Sequence, residues 1–162
     1  MKSKHIDDIT VTSFCEYADI PRKTFYRYFD SKEDAVRGFI EHSFSEFYSI
    51  ADRLATSSEK RSILREFEIY FIFWQSKSEV LRVLERSGLL GMLRDSSITI
   101  SVEDRISTAR FLPNDNESER GLVFRFAIAG IYQIMIEWYK SGFKKSTRDM
   151  AVITSRLLPG AP

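Results

Sequence analysis

Apolar residues recur at three- and four-residue steps along most of the chain. Ala35, Val36, Phe39, Ile40, Phe44, Phe47 and Ile50 form one such series, and Ile63, Leu64, Phe67, Tyr70, Phe71 and Trp74 form another. This period is that of one face of an α-helix. The pattern predicts short helices over Val11 to Ala18 and Arg22 to Phe29, then a long helix from Lys32 into the mid-fifties. A helix near Glu59 to Gln75 follows, and "SEVLRVLER" adds a short one closed by Gly88. Gly121 to Ser141 reads as a long apolar helix stopped at Gly142, and Thr147 to Leu158 as a last helix ended by Pro159. Between them, Leu89 to Leu112 contains the alternating, β-branched "SSITISV". A strand there would have no partner, so the expectation is helix with a break near Ser96.

Helix-start signals support this layout. A small polar residue followed three positions later by an acid can satisfy free N–H groups at a helix N-terminus. Ser31 to Asp34, Thr56 to Glu59, Ser76 to Glu79, Asn116 to Glu119 and Ser146 to Asp149 all fit. The predicted class is all-α. The expected division is a small unit over residues 1–45 and a larger helical unit over 46–162.

Composition narrows the function classes. The 162 residues are 43% hydrophobic and 29% charged, enough apolar material for a core. Net charge is +1, so an argument for a polyanionic partner must rest on local clustering. The single cysteine, Cys15, excludes an internal disulfide and fits a reducing, cytoplasmic setting. The apolar run "IYFIFW" is far shorter than the roughly 20 residues of a membrane span, so no membrane partner is expected. His5 and His42 lack metal-ligand spacing, and no phosphate-cradling glycine loop or nucleophile–base arrangement stands out. The expectation is therefore no metal, no cofactor and no enzyme.

The local cluster is "DIPRKTFYRYFDSKEDA", Asp19 to Ala35. On a helix, Phe25 and Phe29 share one face, and Lys23, Thr24, Arg27 and Tyr28 fall opposite, with Arg22 and Tyr26 on the flank. A helix this short needs a scaffold, and the preceding helix offers Val11, Phe14, Cys15 and Ala18. In the link, Asp19 tolerates a left-handed turn, Ile20 can plug the core and Pro21 suits a helix start. Helix, tight turn and short cationic helix together describe a helix-turn-helix, whose second helix enters the major groove.

The stretch Ile9 to Ile40 resembles the DNA-binding domain of the TetR family of transcriptional regulators, most specifically at "TFYRYFDSKEDA", Thr24 to Ala35. The resemblance implies base or phosphate contacts for Thr12, Arg22, Lys23, Thr24, Tyr26, Arg27, Tyr28 and Lys32. Phe126 to Leu158 is similar to the ligand-binding and dimerisation region of a Firmicutes-type branch of that family. Asp19 stands where the family usually has glycine, and Pro21 where it often has serine. The family's first helix would precede "ITVT", where "MKSKHIDD" is too short to hold it.

Two more sites follow as expectations. Phe67, Tyr70, Phe71 and Trp74 offer an aromatic wall for a small-molecule effector, dense core packing being the competing expectation for each. The helix Gly121 to Ser141 is apolar nearly all round, which fits burial on two sides. Tyr132, Met135, Ile136 and Tyr139, with Met150, Ile153 and Leu157 of the last helix, are the expected homodimer face. The expected function is a ligand-responsive repressor that binds a palindromic double-stranded DNA operator as a homodimer. The alternative is a dimeric helical interaction module that has lost DNA binding.

Overall fold

The computed structural model describes residues 10–56, 63–105 and 117–157. Among them are eight helices and no strand: α1 (Val11–Tyr17), α2 (Arg22–Tyr28), α3 (Lys32–Thr56), α4 (Ile63–Ser76), α5 (Ser78–Arg86), α6 (Leu90–Arg105), α7 (Glu117–Lys140) and α8 (Thr147–Ser155). The all-α class read from the apolar period holds.

Short polar side chains set the helix starts. At α3 the Ser31 hydroxyl accepts the Asp34 N–H at 3.0 Å, and the Asp34 carboxylate accepts the Asp30 N–H at 3.1 Å. At α8 Ser146 accepts the Asp149 N–H at 3.1 Å. The start of α1 carries no acid: Thr10 accepts the Ser13 N–H at 3.0 Å, and the Ser13 hydroxyl accepts the Thr10 N–H at 3.2 Å. A serine thus closes the box that the expected pattern reserved for an acid. The Ser76–Glu79 signal is corrected. Ser76 is the last residue of α4, its hydroxyl donates back to the Phe73 carbonyl at 2.6 Å, and Lys77 precedes α5 without a side-chain cap. The pairs Thr56–Glu59 and Asn116–Glu119 each include a residue outside those described.

The break expected near Ser96 is also corrected, since α6 runs from Leu90 to Arg105 without interruption. Its hydroxyls turn onto their own helix: Ser97 donates to the Arg94 carbonyl at 2.7 Å and Thr99 to the Asp95 carbonyl at 3.1 Å. Leu93, Ser97 and Ser101, four apart, are all buried. The four-residue period decides the element, and the alternation of "SSITISV" is incidental to it.

Helix ends rely on left-handed residues. α1 closes through Asp19 at φ 52°, with the Ile20 N–H donating to the Cys15 carbonyl at 3.0 Å. α7 closes through Gly142 at φ 74°, with the Phe143 N–H donating to the Trp138 carbonyl at 3.0 Å. Both are the six-to-one bond of a Schellman ending.

Two apolar centres result. The larger joins α3 to α8, with α8 lying along α4 and α6 packed between α3 and α7. Phe71, Trp74, Leu81, Leu93 and Met135 are fully enclosed there. Ile40 and Phe44 already belong to it, ahead of the expected boundary at residue 45. The smaller centre lies under α1 and α2, around Cys15 and Phe25. The helix α3 spans both, so the two units share one rod.

The segment Glu119–Lys140 of α7 is long and apolar enough, by length and composition, to cross a membrane. Counting only consecutive apolar residues overlooked it. Phe124, Ile131, Tyr132, Met135, Ile136 and Trp138 of this segment are buried inside the protein.

Candidate nucleic-acid interface

The seven-residue α2 is held from beneath. Phe25 is 1% exposed, and its ring meets Phe14 of α1 edge-on at 5.7 Å and Phe29 at 5.6 Å. Phe29 in turn reaches α3, where a Cβ on Gly38 would stand 3.2 Å from its Cε1. These contacts supply the scaffold that so short a helix needs. Pro21 sits one position ahead of the helix, at φ −62° and ψ 139°, and its carbonyl accepts the Thr24 N–H at 2.8 Å.

With Phe25 inward, Arg22, Lys23, Tyr26, Arg27 and Tyr28 are exposed, while Thr24 is half-buried. The outer surface therefore includes the expected flank, Arg22 and Tyr26, and takes less of Thr24. Rings order the cations. The Arg27 guanidinium lies 4.8 Å from the Tyr28 ring centre and donates to the Tyr28 hydroxyl at 3.1 Å. Arg22 lies 5.9 Å from the Tyr26 ring centre. Such pairs lower the entropy lost when a guanidinium docks on a phosphate or a base edge.

Thr12 is exposed on α1, and a groove of about 420 Å³ brings it together with Arg22. Cys15, Glu16, Asp19, Ile20 and Pro21 complete the groove. Its two carboxylates oppose an anion, so the cationic part of the surface is α2 itself. Lys32 is half-buried at the start of α3, with its Nζ 3.9 Å from the Glu33 carboxylate. The stretch ahead of "ITVT", residues 1–8, lies outside those described.

The expected effector wall lies in the larger core. Phe67, Phe71 and Trp74 are buried, and Tyr70 is half-buried. Burial, reinforced by the nearby phenols of Tyr48 and Tyr132, pushes the Tyr70 phenol well up from its ordinary value. Burial likewise raises Tyr132 to about 12, and its hydroxyl donates to the Leu90 carbonyl at 2.7 Å. These phenols stay neutral donors at any physiological pH. Sequence reasoning missed Phe44, Phe47 and Tyr48 of α3, whose rings complete the cluster around Tyr70 and Trp74. The three-to-four-residue spacing of Phe44, Phe47 and Tyr48 was the available signal.

The expected dimer face is corrected in part. Tyr132, Met135, Ile136 and Met150 are buried within the single chain, so they are not free for a partner. Tyr139 is half-buried and donates to Glu85 at 2.8 Å. Ile153 and Leu157 are exposed, and so are Leu122 and Phe126 of α7, of which Phe126 is 81% exposed. A helix apolar all round does not reveal which side its own chain covers.

Among the described residues, no group of three or more His, Cys, Asp or Glu side chains could hold a metal ion. Compared with known protein families, curated proteins and solved structures, the chain matches none.

Proposed function

We propose that the chain is a DNA-binding transcriptional regulator of the TetR kind, acting as a homodimer on a palindromic operator and released by a small effector. One observation carries the reading: Phe25 anchors α2 in a small core while Arg22, Lys23, Tyr26, Arg27 and Tyr28 stand together on its outer side. Arginine and lysine serve guanine edges or phosphates, and the tyrosines serve phosphates. The long α3 ties this unit to the larger core, where an effector can bias the spacing of two reading heads only by binding one state more tightly. Repression by occupying a promoter is the family's usual mode and is the default sign.

The test is DNA binding by the full chain as salt is varied. The logarithm of affinity should fall linearly with the logarithm of salt, with a slope of roughly −0.9 for each phosphate neutralised. Absence of binding to any DNA by a dimeric sample overturns the reading. It then favours the second one, a protein-interaction module, for which Phe14, Tyr17 and Phe39 speak. All three are exposed around the same unit, Tyr17 at 93%.

A further inference from the structure

Arg27 and Tyr28 are consecutive on α2, and side chains one apart leave a helix about 100° from each other. Their contact therefore requires the Arg27 side chain to fold sideways across its neighbour. It is held there in two ways: the guanidinium carbon lies 4.8 Å from the Tyr28 ring centre, and Nη2 donates to the Tyr28 hydroxyl at 3.1 Å. Both side chains stand in solvent, Tyr28 at 66% exposure. Exposed contacts of this kind add little to stability, so folding does not account for the arrangement. What it changes is the freedom of the guanidinium. Arg22 has only the looser contact, 5.9 Å from the Tyr26 ring centre, and it borders the groove that holds Glu16 and Asp19. The Arg27–Tyr28 bond also leaves capacity on both partners. The guanidinium keeps a free edge of N–H donors, and the Tyr28 hydroxyl, having accepted, keeps its own proton to donate. The seven residues of α2 rise about 10 Å, less than the roughly 12 Å width of the major groove. A helix so short keeps its last turn, which holds Arg27, within the groove that it enters.

We propose that Arg27 and Tyr28 form one reading unit: Arg27 takes the O6 and N7 of a guanine in the major groove, and Tyr28 is the positioning residue that holds the guanidinium for it while donating its own hydroxyl proton to a phosphate. Guanine is the base whose major-groove edge offers two adjacent acceptors, which match the parallel donors of the fork. Adenine, cytosine and thymine each place a donor or a methyl group there. A phosphate is the competing target of any guanidinium. A freely turning arginine or lysine serves a phosphate well, because charge attracts from many angles. A fork stacked on a ring and bonded at its side has already lost that freedom, which favours the target with the stricter geometry. The phenol suits the phosphate instead, and accepting from a cation makes its O–H a stronger donor. Backbone and base are then linked through one hydrogen-bonded chain, which fixes the register of α2. The inference rests on the DNA-binding reading above and names the base that reading leaves open.

The experiment uses the full chain and a pool of random-sequence DNA duplexes. Wild type should select sites containing a guanine that Arg27→Lys, which keeps the charge and lacks the fork, no longer prefers, with the other selected positions kept. In a selected duplex, 7-deazaguanine at that position removes the N7 acceptor and keeps the base pair. It should weaken wild type about tenfold, and Arg27→Lys by less than about twofold. Arg22→Ala should bind both duplexes more weakly and keep the full discrimination. Tyr28→Phe retains the ring without the hydroxyl, and should lose most of the discrimination. A Tyr28 that only supported the fold would weaken both duplexes equally when changed. Unfolding midpoints by circular dichroism verify that the variants stay folded. If Tyr28→Phe does not, methylphosphonate replacement of each phosphate in turn serves instead, and one such replacement should abolish the guanine discrimination of wild type. Equal affinity of wild type for the guanine and 7-deazaguanine duplexes overturns the proposal, as does undiminished discrimination in Tyr28→Phe or in every methylphosphonate duplex. A wild-type protein that binds no DNA sinks the DNA reading and this inference with it. DNA binding with no guanine assigned to Arg27 sinks this inference alone.

Discussion

The ring of Phe14 in α1 meets that of Phe25 in α2 edge-on at 5.7 Å, at an interplanar angle of 68°. This contact joins the two short helices, because neither of them is long enough to persist alone. It also sets which side of α2 faces outward.

Phe25→Ala and Arg27→Ala therefore separate folding from recognition. Phe25 is 1% exposed, and its truncation should cost about 3 kcal/mol or more and melt the small unit. Arg27 is exposed and bonded only to its neighbour Tyr28 among the contacts seen, so its loss should leave unfolding within about 0.5 kcal/mol of wild type. DNA affinity should fall in both. Chemical denaturation followed by circular dichroism checks the contrast, and equal stability of the two variants would contradict the facing of α2.

Asp19 holds a left-handed conformation at φ 52°, closing α1 ahead of the turn. Aspartate tolerates that region at a cost that glycine avoids. Asp19→Gly should stabilise the protein by about 1 kcal/mol and remove one carboxylate from the groove shared by Thr12 and Arg22. A lower unfolding midpoint would show that the aspartate side chain earns its place by contacts other than the turn.

Thr154 is 1% exposed on α8, and its hydroxyl has no partner among the described residues. Valine has nearly the same shape and nothing to desolvate. Thr154→Val should raise stability by about 1 kcal/mol, read as a higher midpoint in thermal unfolding. A loss of stability would mean that the hydroxyl finds a partner in solution.

At the start of α8 the Ser146 hydroxyl donates to the Asp149 carboxylate at 2.7 Å, and this bond first of all holds the carboxyl below its ordinary 3.8. A carboxyl lowered on folding contributes stability above its unfolded value, and that contribution fades as pH falls through the lower folded value. Carbon-detected NMR titration should place Asp149 below 3.8 in wild type and return it toward 3.8 in Ser146→Ala. An unchanged titration in the variant would assign the effect to the helix terminus or to Lys145.

Elements were far more legible in the sequence than faces. The four-residue period located α3, α4 and α7 because a buried stripe must repeat with the helix turn. Phe25 was legible for the same reason, with basic residues filling the other side. The helix at "SSITISV" was legible despite its alternation, but its continuity through Ser96 was not, because hydroxyls that bond their own helix, as those of Ser97 and Thr99 do, leave no mark in the pattern. Tyr132 and Met135 could not be separated from Phe126 by pattern, since all lie on one apolar helix. Only the packing of α6 and α4 against α7 covers the first two and leaves the third in water. The ring cluster around Trp74 was half legible, because α4 supplies Tyr70 and Trp74 while its other members come from α3.

The free apolar surface bears on assembly. Leu122 and Phe126, four apart on α7, are 69% and 81% exposed, and Leu157 after α8 is 64% exposed. Scattered exposed leucines are ordinary, but a large side chain and its neighbour one turn away make a patch that a second copy can cover. Phe126→Lys places a charge in that patch and touches nothing in the core. It should convert the proposed dimer to a monomer in analytical ultracentrifugation, with the unfolding of the monomer's core retained, and weaken the proposed operator binding because two linked reading heads would become one. Met135→Lys should instead unfold the chain, since Met135 is fully buried within it. A Phe126→Lys protein that stays dimeric would move the interface off the start of α7, and Leu157→Lys would then test the end of α8.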